Sequence, residues 1–200
     1  KLFSAGANLA FVLNAARDKK YDLILEASRR LQYAARMLTY APFPTVAAPF
    51  QMALGGGCEL TLACQRAVGH AELYMGLVEV GVGVIPAGGG CLQMLLRLEE
   101  AMEAKGEKGP MPKVKTAFQL IGTANVNTSF DECVANGYLR RTDRRVMNSA
   151  FLLHEAKAEV LKMAAAFEPR QERVLKLPGL GGVAVVGVET AQEMHDVFAE

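Results

Sequence analysis

The stretch Thr45-Val-Ala-Ala-Pro-Phe-Gln-Met-Ala-Leu-Gly-Gly-Gly-Cys-Glu-Leu-Thr-Leu-Ala-Cys64 decides the fold class. Thr45 to Leu54 is a largely apolar run, the pattern of a strand buried on both faces. Gly55-Gly-Gly57 then turns the chain into an apolar helix, expected over Cys58 to Gln65, with Glu59 in its first turn. Strand, glycine turn and helix in that order predict an α/β architecture. A carboxylate in so apolar a helix is costly to bury unless it is paired, hydrogen-bonded or chemically employed.

Downstream the pattern recurs. Ala67 to Gly69, Leu73 to Met75 and Gly81 to Ile85 read as short strands, and Gly76-Leu-Val-Glu79 places a second carboxylate 20 positions after the first. Pro86-Ala-Gly-Gly-Gly90 opens a helix through Leu98. A charged, Gly- and Pro-containing patch, Glu99 to Lys113, reads as an exposed loop or a helix extension. The last third is helical, over Val114 to Gly122, Phe130 to Asn136 and Met147 to Phe167. Upstream, Phe3 to Leu9 reads as a strand end turning through Ser-Ala-Gly. Tyr21 to Tyr40 carries Ile24, Ala27, Leu31, Ala34 and Leu38 three and four apart, an amphipathic helix. Pro42 and Pro44 end it.

Composition narrows the function. The 200 residues are 51% hydrophobic and 22% charged, an ordinary globular balance. A net charge of +1 leaves no case for a nucleic-acid or anionic-membrane surface. Arg140, Arg141, Arg144 and Arg145 cluster, but Thr142 and Asp143 interrupt them, so a solvated turn is expected. Cys58, Cys64, Cys91 and Cys133 form no CxxC pair, and His70, His154 and His195 are scattered. Buried reduced thiols of a cytoplasmic protein fit better than disulfides or a metal site. No apolar run reaches the ~18 residues of a membrane span. His154 shares a helix face with Met147, Phe151, Ala158 and Leu161, the setting of a packed core or interface histidine. The chain opens mid-motif on Lys1-Leu-Phe-Ser-Ala-Gly6 without an initiator Met, and it is expected to be a piece of a longer polypeptide.

Three glycine turns precede helices, at Ser4-Ala-Gly-Ala7, Gly55–Gly57 and Gly88–Gly90. N–H groups in the first turn of a helix have no intrahelical partner, and two that converge on a carbonyl oxygen form an oxyanion hole. The glycines also serve tight turns and close packing alone. No G-x-x-x-x-G-K-[ST], G-x-G-x-x-G or G-x-S-x-G motif occurs, so neither a nucleotide cradle nor a serine nucleophile elbow is indicated.

Phe3-Ser-Ala-Gly-Ala-Asn-Leu9, Ala53-Leu-Gly-Gly-Gly-Cys-Glu-Leu-Thr-Leu-Ala-Cys64 and Met75-Gly-Leu-Val-Glu-Val-Gly-Val-Gly-Val-Ile-Pro-Ala-Gly-Gly-Gly90 together resemble the crotonase (enoyl-CoA hydratase/isomerase) superfamily. The resemblance is strong over positions 1–98 and continues weakly through Lys115 to Arg140. It implies a spiral of ββα units with a helical C-terminal trimerisation region, whose first strands precede Lys1. The expected layout is an incomplete crotonase core over 1–112 with an insertion near 99–112, a helical region over 113–168, and a tail over 169–200.

The implied ligand is an acyl-CoA thioester. Ala7 and Gly56 would donate the oxyanion-hole N–H groups, with Ser4, Ala5 and Asn8 in the substrate and CoA site. Glu59 and Glu79 fall on the family's two catalytic carboxylates, which implies hydration of trans-2-enoyl-CoA. Double-bond isomerisation, thioester hydrolysis and a non-catalytic CoA-binding or assembly role are the alternatives. No metal or redox cofactor is implied here.

Val78, Gln65, Asn8 and Ala87 depart from the family's usual proline, aspartate, aspartate and glycine. The turn at 84–90, the patch at 99–113 and Asn127-Thr-Ser-Phe-Asp-Glu-Cys133 look most like crotonase domains fused to an NAD-dependent 3-hydroxyacyl-CoA dehydrogenase of fatty-acid β-oxidation. NAD would bind in that other half. The expected assembly is a trimer-based homo-oligomer or a β-oxidation complex.

Overall fold

The computed structural model describes residues 1–106, 109 and 111–182. The first helix, α1 (Leu9–Arg17), starts where the Asn8 side chain accepts the Phe11 N–H, an N-cap that satisfies an otherwise unpartnered donor. It was not signalled by the strand-end reading of Phe3 to Leu9. Helix α2 (Tyr21–Thr39) follows as expected, but it buries Ala35 and Thr39 and leaves Ala27 and Ala34 exposed. Its inward stripe therefore runs through Ile24, Ser28, Leu31, Ala35 and Leu38. Ser28 can turn inward because its hydroxyl bonds the Ile24 carbonyl.

Thr45 to Leu54 forms two strands rather than one, β1 (Val46–Ala47) and β2 (Gln51–Leu54). Pro49, which has no N–H to give a ladder, and Gln51, with φ of 49°, break the run. The two halves enter different sheets. β1 pairs in parallel with β3 (Arg66–His70), and β3 pairs in parallel with β5 (Arg144–Val146). β2 pairs in parallel with β4 (Leu73–Gly76), in register Leu54 to Gly76. Ser4 adds a parallel bridge to Ala53 on the other side of β2.

Between the strands lies α3 (Gly56–Ala63). A short 3-10 turn over Glu79–Val82 leads to α4 (Gly90–Lys105), α5 (Met111–Gly122), α6 (Phe130–Ala135) and α7 (Leu152–Ala164). The expected strand at Gly81 to Ile85 is absent, because the chain is already turning at Glu79 and Gly83 adopts a left-handed φ of 81°. The patch at 99–113 extends α4 to Lys105 and opens α5 at Met111. The arginine cluster is a solvated turn only in part, with Arg141 exposed in it. Arg144 and Arg145 lie in β5, and Arg140 bonds Glu100 and the Gln65 carbonyl.

The main core joins Ala53, Cys58, Leu62, Leu73, Met75, Leu77, Met94, Phe130, Cys133 and Tyr138. Burying each large apolar side chain contributes about 1.5–3 kcal/mol. A smaller cluster packs Leu152 and Ala156 of α7 on Val68 and Val146. His154 is exposed and so is not a core residue, and Cys91 is exposed while the other three thiols are buried. Arg97 of α4 is enclosed. It donates to the Leu62 carbonyl at 2.8 Å and lies 3.8 Å from the equally buried Asp143. Burial, and then the neighbouring Arg140 charge, lower its pKa to about 9, and Asp143 opposes them. Asp143 in turn accepts the Ala67 and Arg140 N–H groups. The pair thereby stitches α4, β3 and the β5 approach together.

Gly76 ends β4 where any side chain would collide. A Cβ there would meet the Asn125 carbonyl oxygen at 2.2 Å, and that oxygen belongs to backbone that also pairs through Asn127 with Met75. Gly76→Ala is expected to cost at least about 1–3 kcal/mol, the usual range for overpacking, measured as a lowered urea midpoint. An unchanged midpoint would show that the Asn125 turn can move aside.

Candidate active site

β2 and β4 run in parallel, so their C-terminal ends lie side by side, and the Gly55 N–H donates to the Gly76 carbonyl at 2.9 Å to close that edge. From this edge one strand turns into α3, carrying Glu59, and the other leads to Glu79. The two carboxylates, 20 positions apart in sequence, thus reach one place, where the Glu59 charge bears on Glu79.

The Ser4–Ala7 turn arrives at the same edge. Ser4 bonds across to β2 through its N–H to the Met52 carbonyl and its carbonyl to the Leu54 N–H, and its hydroxyl accepts the Gly6 N–H at 3.1 Å. Gly6 takes a φ of 89°. A Cβ there would lie 3.1 Å from the Leu54 carbonyl oxygen and 3.3 Å from the Gly56 nitrogen. Only glycine permits both the conformation and the approach. Gly56 is the first residue of α3, and its N–H has no intrahelical acceptor. The Ala7 and Gly56 N–H groups therefore sit on neighbouring turns, and no acceptor among the described residues takes either. Ala5 and Asn8 are exposed beside them, with the Asn8 side chain engaged as the cap of α1.

The two glutamates have different surroundings. Glu59 is 2% exposed, and its Oε1 accepts the N–H groups of Gly88 and Gly90, each at 2.8 Å. Burial raises its pKa and these two donors pull it back. Glu79 stands at the start of the 3-10 turn with one buried carboxylate oxygen, Oε2, unpartnered. Burial raises its pKa to about 7, its own backbone N–H opposes this, and the Glu59 charge adds to the rise. One carboxylate is held by fixed donors, and the other is poised to carry a proton near neutral pH.

The Gly88–Gly90 turn is one of the three glycine turns that the sequence offers for N–H groups facing a ligand. Its Gly88 and Gly90 N–H groups are instead spent on Glu59. α2 was missed as part of the site. Leu31 lies against the glycine turns, with its Cδ2 3.5 Å from a Cβ built on Gly56 and 2.5 Å from one built on Gly88. The only signal for this was Leu31's place in the apolar stripe of α2, which does not say what the stripe packs on. Among the described residues no group of three or more His, Cys, Asp or Glu is arranged to hold a metal ion, and no helix is long and apolar enough to cross a membrane.

A parallel-stranded α/β fold that brings unpartnered backbone N–H groups, the buried Glu59 and the half-buried Glu79 to one strand edge can hold a developing oxyanion and exchange protons beside it. No protein-family model matches the chain. It is 34% identical over 187 residues to a probable 3-hydroxyacyl-CoA dehydrogenase of Bacillus subtilis, covering 93% of this chain and 23% of that protein. It is 33% identical over 190 residues to a putative enoyl-CoA hydratase of Thermus thermophilus, covering 90% of this chain and 65% of that protein. The crystal structure of an enoyl-CoA hydratase from Polaromonas sp. JS666 superposes with a TM-score of 0.65 at 22% identity, over 82% of this chain and 56% of that one. These relatives and structural neighbours are of the crotonase superfamily, and the chain has that fold. It spans less than two thirds of the length of these relatives.

The unfolded chain releases the Glu79 proton near pH 4.5, whereas the folded chain holds it to about pH 7. Folding stability therefore falls as pH rises through that window, because the folded state binds more protons there. Glu79→Gln is expected to be more stable than the unsubstituted protein at pH 8 and to lose that advantage below about pH 4.5. Urea titrations at both pH values check it; equal midpoints at pH 8 would mean that Glu79 ionises without cost.

Proposed function

We propose that the chain is the hydratase part of a crotonase-superfamily enzyme that adds water to trans-2-enoyl-CoA, giving 3-hydroxyacyl-CoA. The observation that carries this reading is the unequal pair of glutamates at one strand edge, with Glu59 held by two N–H donors and Glu79 titrating near 7. Hydration needs one group to accept a proton and one to donate it. In this mechanism both carboxylates hold the water. Glu59 takes a proton from it as its oxygen bonds to C3, and Glu79 delivers a proton to C2. The electron pair of the C2–C3 double bond moves onto the thioester oxygen as an enolate and returns when C2 is protonated. Ala7 and Gly56 N–H groups would hold that oxygen, one such donor being worth about 3 kcal/mol. Ser4, Ala5 and Asn8 would line the approach of the CoA thioester. No metal or redox cofactor enters the scheme.

The name of the Bacillus subtilis relative supports placing this domain in a longer polypeptide that also oxidises the 3-hydroxyacyl product with NAD, bound outside this chain. The setting would be cytoplasmic fatty-acid β-oxidation. Leu153 and Leu161 of α7 are 76% and 63% exposed. This supports assembly through the C-terminal helices, as a trimer-based homo-oligomer or within a β-oxidation complex. The layout would be a core over 1–112, helices over 113–168 and a tail beyond, of which residues 183–200 lie outside the described residues.

Glu59→Gln and Glu79→Gln are each expected to lower turnover of a 2-enoyl-CoA by about 10²–10⁴-fold with folding retained. The readout is loss of the conjugated enoyl-thioester absorbance. Near-normal rates in both variants would remove the assignment, and turnover of a 3-enoyl-CoA in preference to a 2-enoyl-CoA would redirect it to isomerisation. Leu161→Glu is expected to shift the assembly to monomer by light scattering. An unchanged mass would exclude this face of α7 from the interface.

A further inference from the structure

The geometry points to Gln32 as a positioning residue of this site, holding the Ala87–Gly88 peptide group so that its N–H stays directed at Glu59. The Gln32 side chain, on α2, donates from Nε2 to the Ala87 carbonyl at 2.7 Å. The N–H of the same amide, on Gly88, donates to Glu59 Oε1 at 2.8 Å. One planar peptide group is thus gripped at both ends, by a side chain 55 positions upstream and by the glutamate. An amide that accepts at its carbonyl is polarised and becomes a better donor at its N–H. Gln32 therefore acts through Gly88 on the carboxylate without touching it.

Few other contacts fix this peptide. The turn is Pro86-Ala-Gly-Gly-Gly90, with no long side chain of its own, and Gly89 has a left-handed φ of 117°. Pro86 is held through its carbonyl by the Cys91 thiol at 3.6 Å, a weak bond one peptide away. Leu31, the neighbour of Gln32, presses on Gly88 so closely that its Cγ and Cδ2 would lie 2.5 Å from a Cβ there. Consecutive residues of α2 thus supply a steric stop and a hydrogen bond to one amide. Gln32 is itself exposed, so water competes for the Ala87 carbonyl; the side chain fixes the direction of a donor that water would leave free to swing.

The proposal rests on the reading of Glu59 as the ionised partner in hydration, but its physical core is the titration of Glu59, which is measurable without turnover. The titratable groups facing Glu59 are Glu79 from the 3-10 turn, Cys58 beside it on α3 and Cys91 on α4. Weakening a donor to the charged form raises a carboxyl pKa. The full 200-residue chain, labelled with ¹³C at the glutamate carboxyls, would be titrated by NMR, with Glu59→Gln identifying the resonance. Gln32→Met keeps the length of the side chain and removes the donor, and Gln32→Leu provides a second neutral variant should the first fold poorly. Each is expected to shift the Glu59 midpoint upward by about half a pH unit, roughly threefold in the ionisation constant. Gln32→Lys, which restores a donor, is expected to return it when measured at high salt to screen the added charge. In the enzyme assay the acid limb of the kcat profile should move up with the NMR midpoint, so that kcat falls about threefold below that midpoint with KM unchanged. An unchanged Glu59 midpoint in Gln32→Met and Gln32→Leu overturns the proposal, as does failure of Gln32→Lys to restore it. A shifted midpoint with no hydratase activity in any form, the unsubstituted chain included, would leave Gln32's role standing and sink the functional reading instead.

Discussion

The parallel register of β2 against β4 is the constraint on which the rest of the site depends. With Leu54 opposite Gly76 and the Gly55 N–H on the Gly76 carbonyl, both strands finish at one edge. A slip of one residue would turn the side chains of a strand to its other face, placing Ala53 and Met75, both fully buried, toward solvent. It would also carry Glu59 and Glu79 out of step. The register is pinned from both sides, by the Ser4 bridge to Ala53 and by the Asn127 bridge to Met75. Gly76 can lie flat against the Asn125 turn only because it has no side chain. The same hydrogen bonds that assemble the sheet therefore bring the Ser4–Ala7 turn to the glutamates.

The cost of this arrangement is concentrated at the two glutamates. Glu59 loses nearly all contact with water and is compensated by two backbone donors from a third turn. Glu79 has one buried oxygen without a partner and remains protonated up to about pH 7. A carboxylate perturbed in this way, beside backbone donors, is the setting in which proton-transfer groups are found. Arg97 is the instructive contrast. It is as buried as Glu59, but its neighbours are Asp143 and a carbonyl, and its contacts join secondary-structure elements rather than open onto the strand edge.

Several large apolar side chains remain exposed among the described residues. Leu9, Phe11 and Leu13 of α1 and Leu153 and Leu161 of α7 are all more than two fifths exposed. α2 occupies a middle position. Its last turn is fixed by Ala35 and by Thr39, whose hydroxyl bonds the Ala35 and Ala63 carbonyls, while its middle reaches over the glycine turns through Leu31 and Gln32. The wall of the site is thus a helix anchored at its C-terminal end, which ties the geometry around Glu59 to the packing of Thr39 between α2 and α3.

Local chemistry alone determined much of this. The glycine turns, the helix after Gly55–Gly57, the strands at Ala67–Gly69 and Leu73–Met75, and the two glutamates as candidates follow from residue type and spacing, because turns and amphipathic periods are short-range properties. The break at Pro49–Gln51 was visible as a proline within an apolar run, yet the assignment of its halves to two sheets depends on partners far along the chain. The strand at Arg144–Val146 was hidden for the same reason. Three residues with two arginines acquire strand geometry only from β3 beside them. Gly81–Ile85 alternates like a strand, but no ladder remains there to join. Only the tertiary structure decided that Gly88 and Gly90 serve Glu59 and that Gln32 reaches their turn. Hydrogen bonds between residues some 30 to 55 positions apart leave no period in a sequence; they exist only once the parallel sheet has brought the turns together.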